Sequence, residues 1–237
     1  MLYQNKFSVI IPAYRVEKYI EECLDSIAMQ SLCEDNEYEV LLGIDACQST
    51  AYIVQAIRSC YKNLNVYWFP QNVRPYLIRN TLAYRAQYEH LIFFDADDIM
   101  LDGHIERIGF ELQNADIAQY KYINFQDDNP QSHSNSDDYA QGVFGINADA
   151  FKQRMGGFLS WPCGADSEFL HRATRIGLAI AKIDEPLMLR RRHDNSLTTS
   201  DETGMGTETR KKYISMLKEV EHLEKIQPEI AHCEVVE

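Results

Sequence analysis

The sequence predicts an α/β fold: a mostly parallel sheet sandwiched by helices. Three observations predict it. Over roughly the first 100 residues, short apolar runs alternate with amphipathic stretches. The runs are apolar throughout, as strands covered on both faces require. Asp45 and Asp95 stand at the ends of two of them, beyond the carboxyl ends of strands, where open α/β sheets bind their ligands.

Each element follows from its own pattern. Phe7 to Ile11 is a first strand, which Pro12 is expected to stop. Val16, Tyr19, Ile20, Cys23, Leu24 and Ile27 then fall on one helix face, with Glu17, Lys18, Glu21, Glu22 and Asp25 opposite. Tyr38 to Ile44 is the second strand and Ala51 to Tyr61 the second helix. Val66 to Phe69 is the third strand, closed by Pro70, and Leu77 to Tyr88 the third helix. Leu91 to Phe94 is the fourth strand, ending in Asp95-Ala96-Asp97-Asp98.

The second half is less regular. Asp116 to Phe125 reads as a strand. The polar stretch Gln126–Gln141 has the composition of a mobile surface loop and is the candidate lid over an acceptor. Gly142 to Ile146, Leu178 to Ile183 and Pro186 to Leu189 read as short strands, with a helix between Gly164 and Gly177. Arg210 to Ile226 is amphipathic. Its polar face is mixed in charge, which fits packing or a homodimer face better than a membrane anchor. The expected organisation is one domain over 1–205, with halves 1–100 and 101–205, and a C-terminal helical tail over 206–237.

The 237 residues are 45% hydrophobic and 25% charged, as a globular domain requires. The net charge of −13 excludes a nucleic-acid-binding surface and strong electrostatic attachment to an anionic membrane. Binding an anion would need a bridging cation or a local basic patch, and Arg190-Arg191-Arg192-His193 is such a patch. Cys23, Cys33, Cys47, Cys60, Cys163 and Cys233 include no CxxC pair, so neither a zinc knuckle nor a thioredoxin site is expected. They read as reduced, mostly buried thiols. No signal peptide and no run of about 18 apolar residues is visible. The expected location is the cytoplasm, with peripheral work at the inner membrane face allowed.

Asp95, Asp97 and Asp98 carry the sharpest chemical signal. Three carboxylates directly after an apolar strand repel one another, and a hard divalent cation such as Mg²⁺ or Mn²⁺ relieves them. On spacing alone, a solvated turn or a helix cap fits as well. An EF-hand does not, because Ile99 and Met100 stand where it needs a ligand and a glycine.

The segments FSVIIPAYRVEKYIEECLDSI, YEVLLGID, IRNTLAY, YEHLIFFDADD, GADSEFLHRA and RRHDNS occur in an order that resembles the family 2 glycosyltransferases of the GT-A fold. The resemblance spans roughly residues 7–197. It implies a single GT-A domain with nucleotide and acceptor lobes, performing an inverting transfer from a nucleotide sugar, a UDP-sugar above others. The acceptor would be a glycan or lipid-linked saccharide hydroxyl in surface polysaccharide synthesis. Carried over onto this chain, the resemblance implies that Pro12, Tyr14 and Asp45 line the base pocket, with Arg79 and Arg191 near the nucleotide. Asp95 would face the ribose or sugar, and Asp97, Asp98 and His193 would hold Mn²⁺ or Mg²⁺. Asp166 would be the catalytic base. Read singly, Asp45 is also a turn residue, Asp166 a helix cap and His193 a surface histidine. Trp161 suits either an acceptor sugar or a lobe interface.

The chain departs from the family pattern at Ala46 and Cys47, where Asp and Gly are usual, at Ala165, usually Glu, and at Arg15, usually Asn. These departures leave one alternative: a catalytically degenerate domain that binds nucleotide or glycan without turnover. A haloacid-dehalogenase-type phosphatase is excluded because Asp95 follows the fourth strand, with Ile99 where Thr or Val belongs. A nucleotidyltransferase of similar fold is a weaker rival, because PAYRVEKYI lacks the glycine its loop after the first strand would want.

Overall fold

The computed structural model describes residues 6–30, 37–129, 131–194, 196 and 199–236; Cys33, Pro130 and Asn195 lie outside them. The elements in chain order are β1 (Lys6–Ala13), α1 (Ile20–Ala28), β2 (Glu37–Asp45), α2 (Gln48–Ile57), β3 (Leu64–Phe69), α3 (Pro75–Arg85), β4 (His90–Phe93), β5 (Ile99–Met100), α4 (His104–Leu112), β6 (Ile117–Gln126), β7 (His133–Tyr139), β8 (Phe144–Asn147), α5 (Ala165–Arg175), β9 (Ile180–Arg192), α6 (Glu208–Ser215) and β10 (Glu234–Val236). One mixed sheet runs β10-β3-β2-β1-β4-β8-β6-β9-β5, with β7 paired to β6. The β3-β2-β1-β4 block is parallel, as its uninterrupted apolar strands require.

Both sheet faces are covered. Val9 and Ile11 of β1 pack with Leu24 and Ile27 of α1, Val54 of α2 and Ile108 of α4. Ile10, one residue out of phase, packs with Ile78 and Leu82 of α3 and Phe169 of α5. Gly43 in β2 makes the α3 contact possible: a Cβ there would stand 2.4 Å from Ile78 Cγ2. That close approach sets Arg79 against the end of β4, over the Phe93 ring and on Asp95.

Several expectations are corrected. Pro12 lies inside β1, opposite Gly43, because β4 pairs only as far as Ile10 and asks no hydrogen bond of the proline. The polar stretch 126–141 contains β7, which closes an antiparallel hairpin on β6. Asp127 there is tied to Arg191 and Tyr19, so the stretch is not the free loop its composition suggested. The two short strands expected over 178–189 are one strand, β9, whose register on β6 shifts at Tyr120–Tyr122.

The C-terminal helix covers only Glu208–Ser215. Beyond it the chain straps back across the fold. Ile226 N–H donates to the Met155 carbonyl at 3.0 Å, and β10 completes the sheet beside β3. Cys23, Cys47, Cys163 and Cys233 are buried thiols and Cys60 is exposed. Among the described residues, no helix is long and apolar enough to cross a membrane.

Candidate functional site

The carboxyl ends of β1, β2 and β4 open into a cleft of about 640 Å³, closed on the other side by the end of β9 and the segment that follows it. Pro12, Tyr14, Asp45, Asp95, Asp97, Asp98, Arg191 and His193 all line it. Tyr14 is 44% exposed and lies under the Arg15 guanidinium at 5.1 Å.

Asp45 ends β2 and is 3% exposed. Its carboxylate accepts from the Val73 N–H at 2.7 Å and the Arg74 N–H at 3.1 Å, so it also pins the loop entering α3. Burial raises its carboxyl above the ordinary range. Three residues with side chains stand in the left-handed region at this end of the sheet: Arg15, Ala46 and Arg74, at φ of 56°, 51° and 69°. Such strain concentrates where loops are over-determined around a site.

The acidic group gathers as expected of a strand end. One carboxylate oxygen from each of Asp95, Asp97 and Asp98 lies within 4.8 Å of the others. Desolvation raises Asp95, although 42% of its side chain remains open; Arg79 opposes the rise and Asp97 adds to it. Burial pushes Asp98 well above the carboxylate range, and Asp97 and Asp95 push further. Three crowded oxygen donors, with the imidazole Nε2 of His193 2.8 Å from Asp97 Oδ2, are a donor set that fits Mg²⁺ or Mn²⁺.

Two residues expected near the nucleotide, Arg79 and Arg191, have guanidinium groups bonded to protein groups. Arg79 is 3% exposed and lies behind Asp95, donating to its Oδ1 at 2.5 Å. Arg191 lines the cleft, but its guanidinium is already engaged. Nε donates to the Asp97 carbonyl at 2.9 Å, Nη1 to Asp127 at 3.0 Å and Nη2 to Glu22. The group is also sandwiched between Tyr19 and Phe125, and the Arg191 backbone N–H donates to Asp98 at 2.8 Å. Arg191 therefore organises the acidic loop from within, and Arg190 is the neighbouring arginine that lines the cleft over the Tyr122 ring.

Asp166 sits in the first turn of α5, whose N-cap is Gly164, so it is not the cap itself. It lies outside the cleft lining but beside it. Both Asp166 Oδ2 and Arg79 Nη1 are within 4 Å of where a Cβ on Gly142 would stand. Trp161 packs against Tyr213 of α6, with ring centroids 5.3 Å apart. Sequence reasoning missed Tyr76, whose hydroxyl donates to Asp166 at 2.9 Å. It also missed the wall formed by 199–203, where Glu202 pairs with Arg74 at 2.8 Å. The polar run there carries no periodic signal.

The family model described as "Glycosyl transferase family 2" matches residues 8–168, more than half of the chain. The chain belongs to glycosyltransferase family 2. Within that family, it is 40% identical over 96 residues to the poly(ribitol-phosphate) beta-N-acetylglucosaminyltransferase TarS of Staphylococcus aureus, covering 39% of this chain and 16% of TarS. It is 31% identical over 102 residues to the minor teichoic acid biosynthesis protein GgaB of Bacillus subtilis, covering 43% of this chain and 11% of GgaB. The chain thus spans a small part of the length of these relatives. The GT-A fold is shared with S. aureus TarS 1–349 in complex with UDP-GlcNAc, at a TM-score of 0.69 and 22% identity over 81% of this chain and 60% of that one. It is shared too with the mannosyltransferase PcManGT of Pyrobaculum calidifontis, solved with GDP-Man and Mn²⁺, at a TM-score of 0.66 and 17% identity over 80% and 57%.

Proposed function

We propose that the protein is a metal-dependent, inverting glycosyltransferase. It would move a sugar from a nucleoside diphosphate sugar, a UDP-sugar first, to a hydroxyl of a saccharide or polyol-phosphate acceptor in cell-surface polymer synthesis. The observation that carries this reading is the cluster of Asp95, Asp97 and Asp98 lining the cleft at the end of β4, with Asp166 just outside the lining, where its Oδ2 and Arg79 Nη1 both lie within 4 Å of where a Cβ on Gly142 would stand. The poly(ribitol-phosphate) in the name of TarS supports the acceptor class, and the teichoic acid biosynthesis named for GgaB supports cell-surface polymer synthesis.

The chemistry accounts for the residue types. The base edge would sit against Pro12, Tyr14 and Asp45. Asp97, Asp98 and His193 would hold the divalent cation, which when bound offsets the charge on the diphosphate leaving group. Asp95, fixed by Arg79, would face the ribose or sugar. Asp166 would accept the proton of the attacking hydroxyl, and a single in-line displacement inverts the anomeric centre. The work would be done at the cytoplasmic side.

The test is release of nucleoside diphosphate from UDP-GlcNAc, UDP-glucose and GDP-mannose with Mn²⁺ and a polyol-phosphate or saccharide acceptor, with the product anomer read by NMR. Acceptor-dependent release with inversion is expected. Retention would rule out the single displacement. A second reading, a nucleotide-binding module without turnover, is favoured by Ala46 and Ala165 where carboxylates are usual; it predicts binding of UDP with Mn²⁺ and no release.

A further inference from the structure

The two oxygens of Asp166 have different surroundings. Oδ1 accepts from the Tyr76 hydroxyl at 2.9 Å and from the Ser167 N–H at 2.9 Å. Among the described residues, no hydrogen bond falls on Oδ2. It lies 3.3 Å from where a Cβ on Gly142 would stand, so only a glycine leaves that approach uncrowded.

Tyr76 reaches Asp166 from the first turn of α3, just after Pro75. It is 7% exposed; its ring packs on Phe158 at 5.6 Å and under the Arg79 guanidinium at 5.7 Å. Packing alone asks only for a phenyl ring. A buried phenol costs free energy unless its O–H finds an acceptor, and the acceptor here is Asp166. Burial and the Asp166 charge both hold the phenol protonated, so it remains a donor. Tyr76 does not line the nucleotide cleft.

We propose that Tyr76 is a positioning residue for sugar transfer: by donating to Oδ1 it leaves Oδ2 as the oxygen that receives the acceptor proton, and Gly142 keeps the approach to Oδ2 open. This rests on the reading of Asp166 as the base. The step balances simply. The acceptor O–H proton goes to Oδ2 and the acceptor oxygen bonds the anomeric carbon. The bond from that carbon to the diphosphate breaks, and its electron pair leaves on the phosphate oxygen. A carboxylate free to turn would present the wrong geometry for part of the time, and small misplacements cost about 10²-fold in rate.

The experiment measures UDP release from the best UDP-sugar with Mn²⁺, using water as acceptor, alongside the Kd of UDP with Mn²⁺. Tyr76→Phe should lower kcat about 10- to 100-fold and leave the UDP Kd within about twofold. In an Asp166→Glu background, where the longer carboxylate is no longer in register with Tyr76, the same change should alter kcat by less than about twofold. Gly142→Ala should lower kcat with the UDP Kd unchanged. A Tyr76→Phe enzyme at wild-type kcat, a parallel loss of UDP affinity, or an undiminished effect in the Asp166→Glu background would overturn the proposal. Asp166→Asn separates it from its premise. Wild-type turnover there defeats the base reading itself, whereas an inactive Asp166→Asn beside a fully active Tyr76→Phe defeats only the positioning role.

Discussion

The two carboxylate sites, one lining the cleft and one just outside it, are built in opposite ways. Asp95, Asp97 and Asp98 are crowded together by chain connectivity at the end of β4, and burial first, with the neighbouring carboxylates adding to it, raises Asp95 and Asp98. Asp166 stands apart on α5 and is held by tertiary contacts, above all the Tyr76 hydroxyl from α3. The first site gathers carboxylates that repel one another, a repulsion a bound cation would offset; the second is already satisfied on one oxygen. A local sequence run suffices to write the first, whereas the second exists only when α3 and α5 meet on the same sheet face.

The largest effects should separate the two sites. Asp97→Ala should lower turnover at least about 100-fold and remove the Mn²⁺ dependence of nucleotide binding. Asp166→Asn should lower turnover by about 10²- to 10⁴-fold with UDP affinity kept. Titration calorimetry beside a release assay measures both, and equal loss of affinity in the two variants would erase the distinction.

A large effect on stability is expected behind the second site. Arg172 is 1% exposed and pairs with Glu168 through Nε at 2.7 Å. It also donates to the carbonyls of Met155 at 2.6 Å and Gly157 at 2.7 Å. Glu168→Gln leaves that guanidinium uncompensated and should cost about 3–5 kcal/mol in urea unfolding. A loss below about 1 kcal/mol would mean that the helix is held by its apolar face alone.

Beneath the first site, His104 is fully buried with Nδ1 2.7 Å from the Leu187 carbonyl, and burial lowers its pKa to about 4. The unfolded chain binds this proton more readily, so the stabilising contribution is full above the ordinary histidine range. It is lost as pH falls from about 6.5 towards 4, a change of order 3 kcal/mol. His104→Gln should flatten that part of the stability–pH curve. An unchanged slope would show that other groups set it.

The smallest effect concerns the strained loops. Ala46 stands at φ 51°, so Ala46→Gly should relieve steric cost and raise stability by about 0.5 kcal/mol after the entropy of glycine is set against it. A lower Tm would mean that the methyl group packs better than its backbone suggests.

The contrast between the sites also explains what was legible in the sequence. The strands and helices up to Phe94 announce themselves because each is patterned locally and buried on the expected face. Asp45, Asp95, Asp97 and Asp98 follow from the strand ends. The second half is set by distant partners. β9 reads as two strands because the register shift at Tyr120–Tyr122 interrupts its pattern. The 126–141 stretch reads as a loop because β7 is exposed and polar on both faces. The tail reads as a long helix, yet Ile226 bonds Met155 and β10 pairs with β3. Arg191 reads only as part of a basic patch near the nucleotide, because nothing in the RRRH run reveals that Glu22, Asp127 and the Asp97 carbonyl hold its guanidinium.

The most direct measurement is thermal unfolding with UDP, GDP, CDP and dTDP, each with and without Mn²⁺, on the wild type and on Asp97→Ala. A nucleotide at 100 times its Kd stabilises by about 2.7 kcal/mol, a shift of several degrees at this size. The account predicts a Mn²⁺-dependent shift with UDP that disappears in Asp97→Ala. No shift with any nucleotide, or one of equal size in the variant, would contradict it.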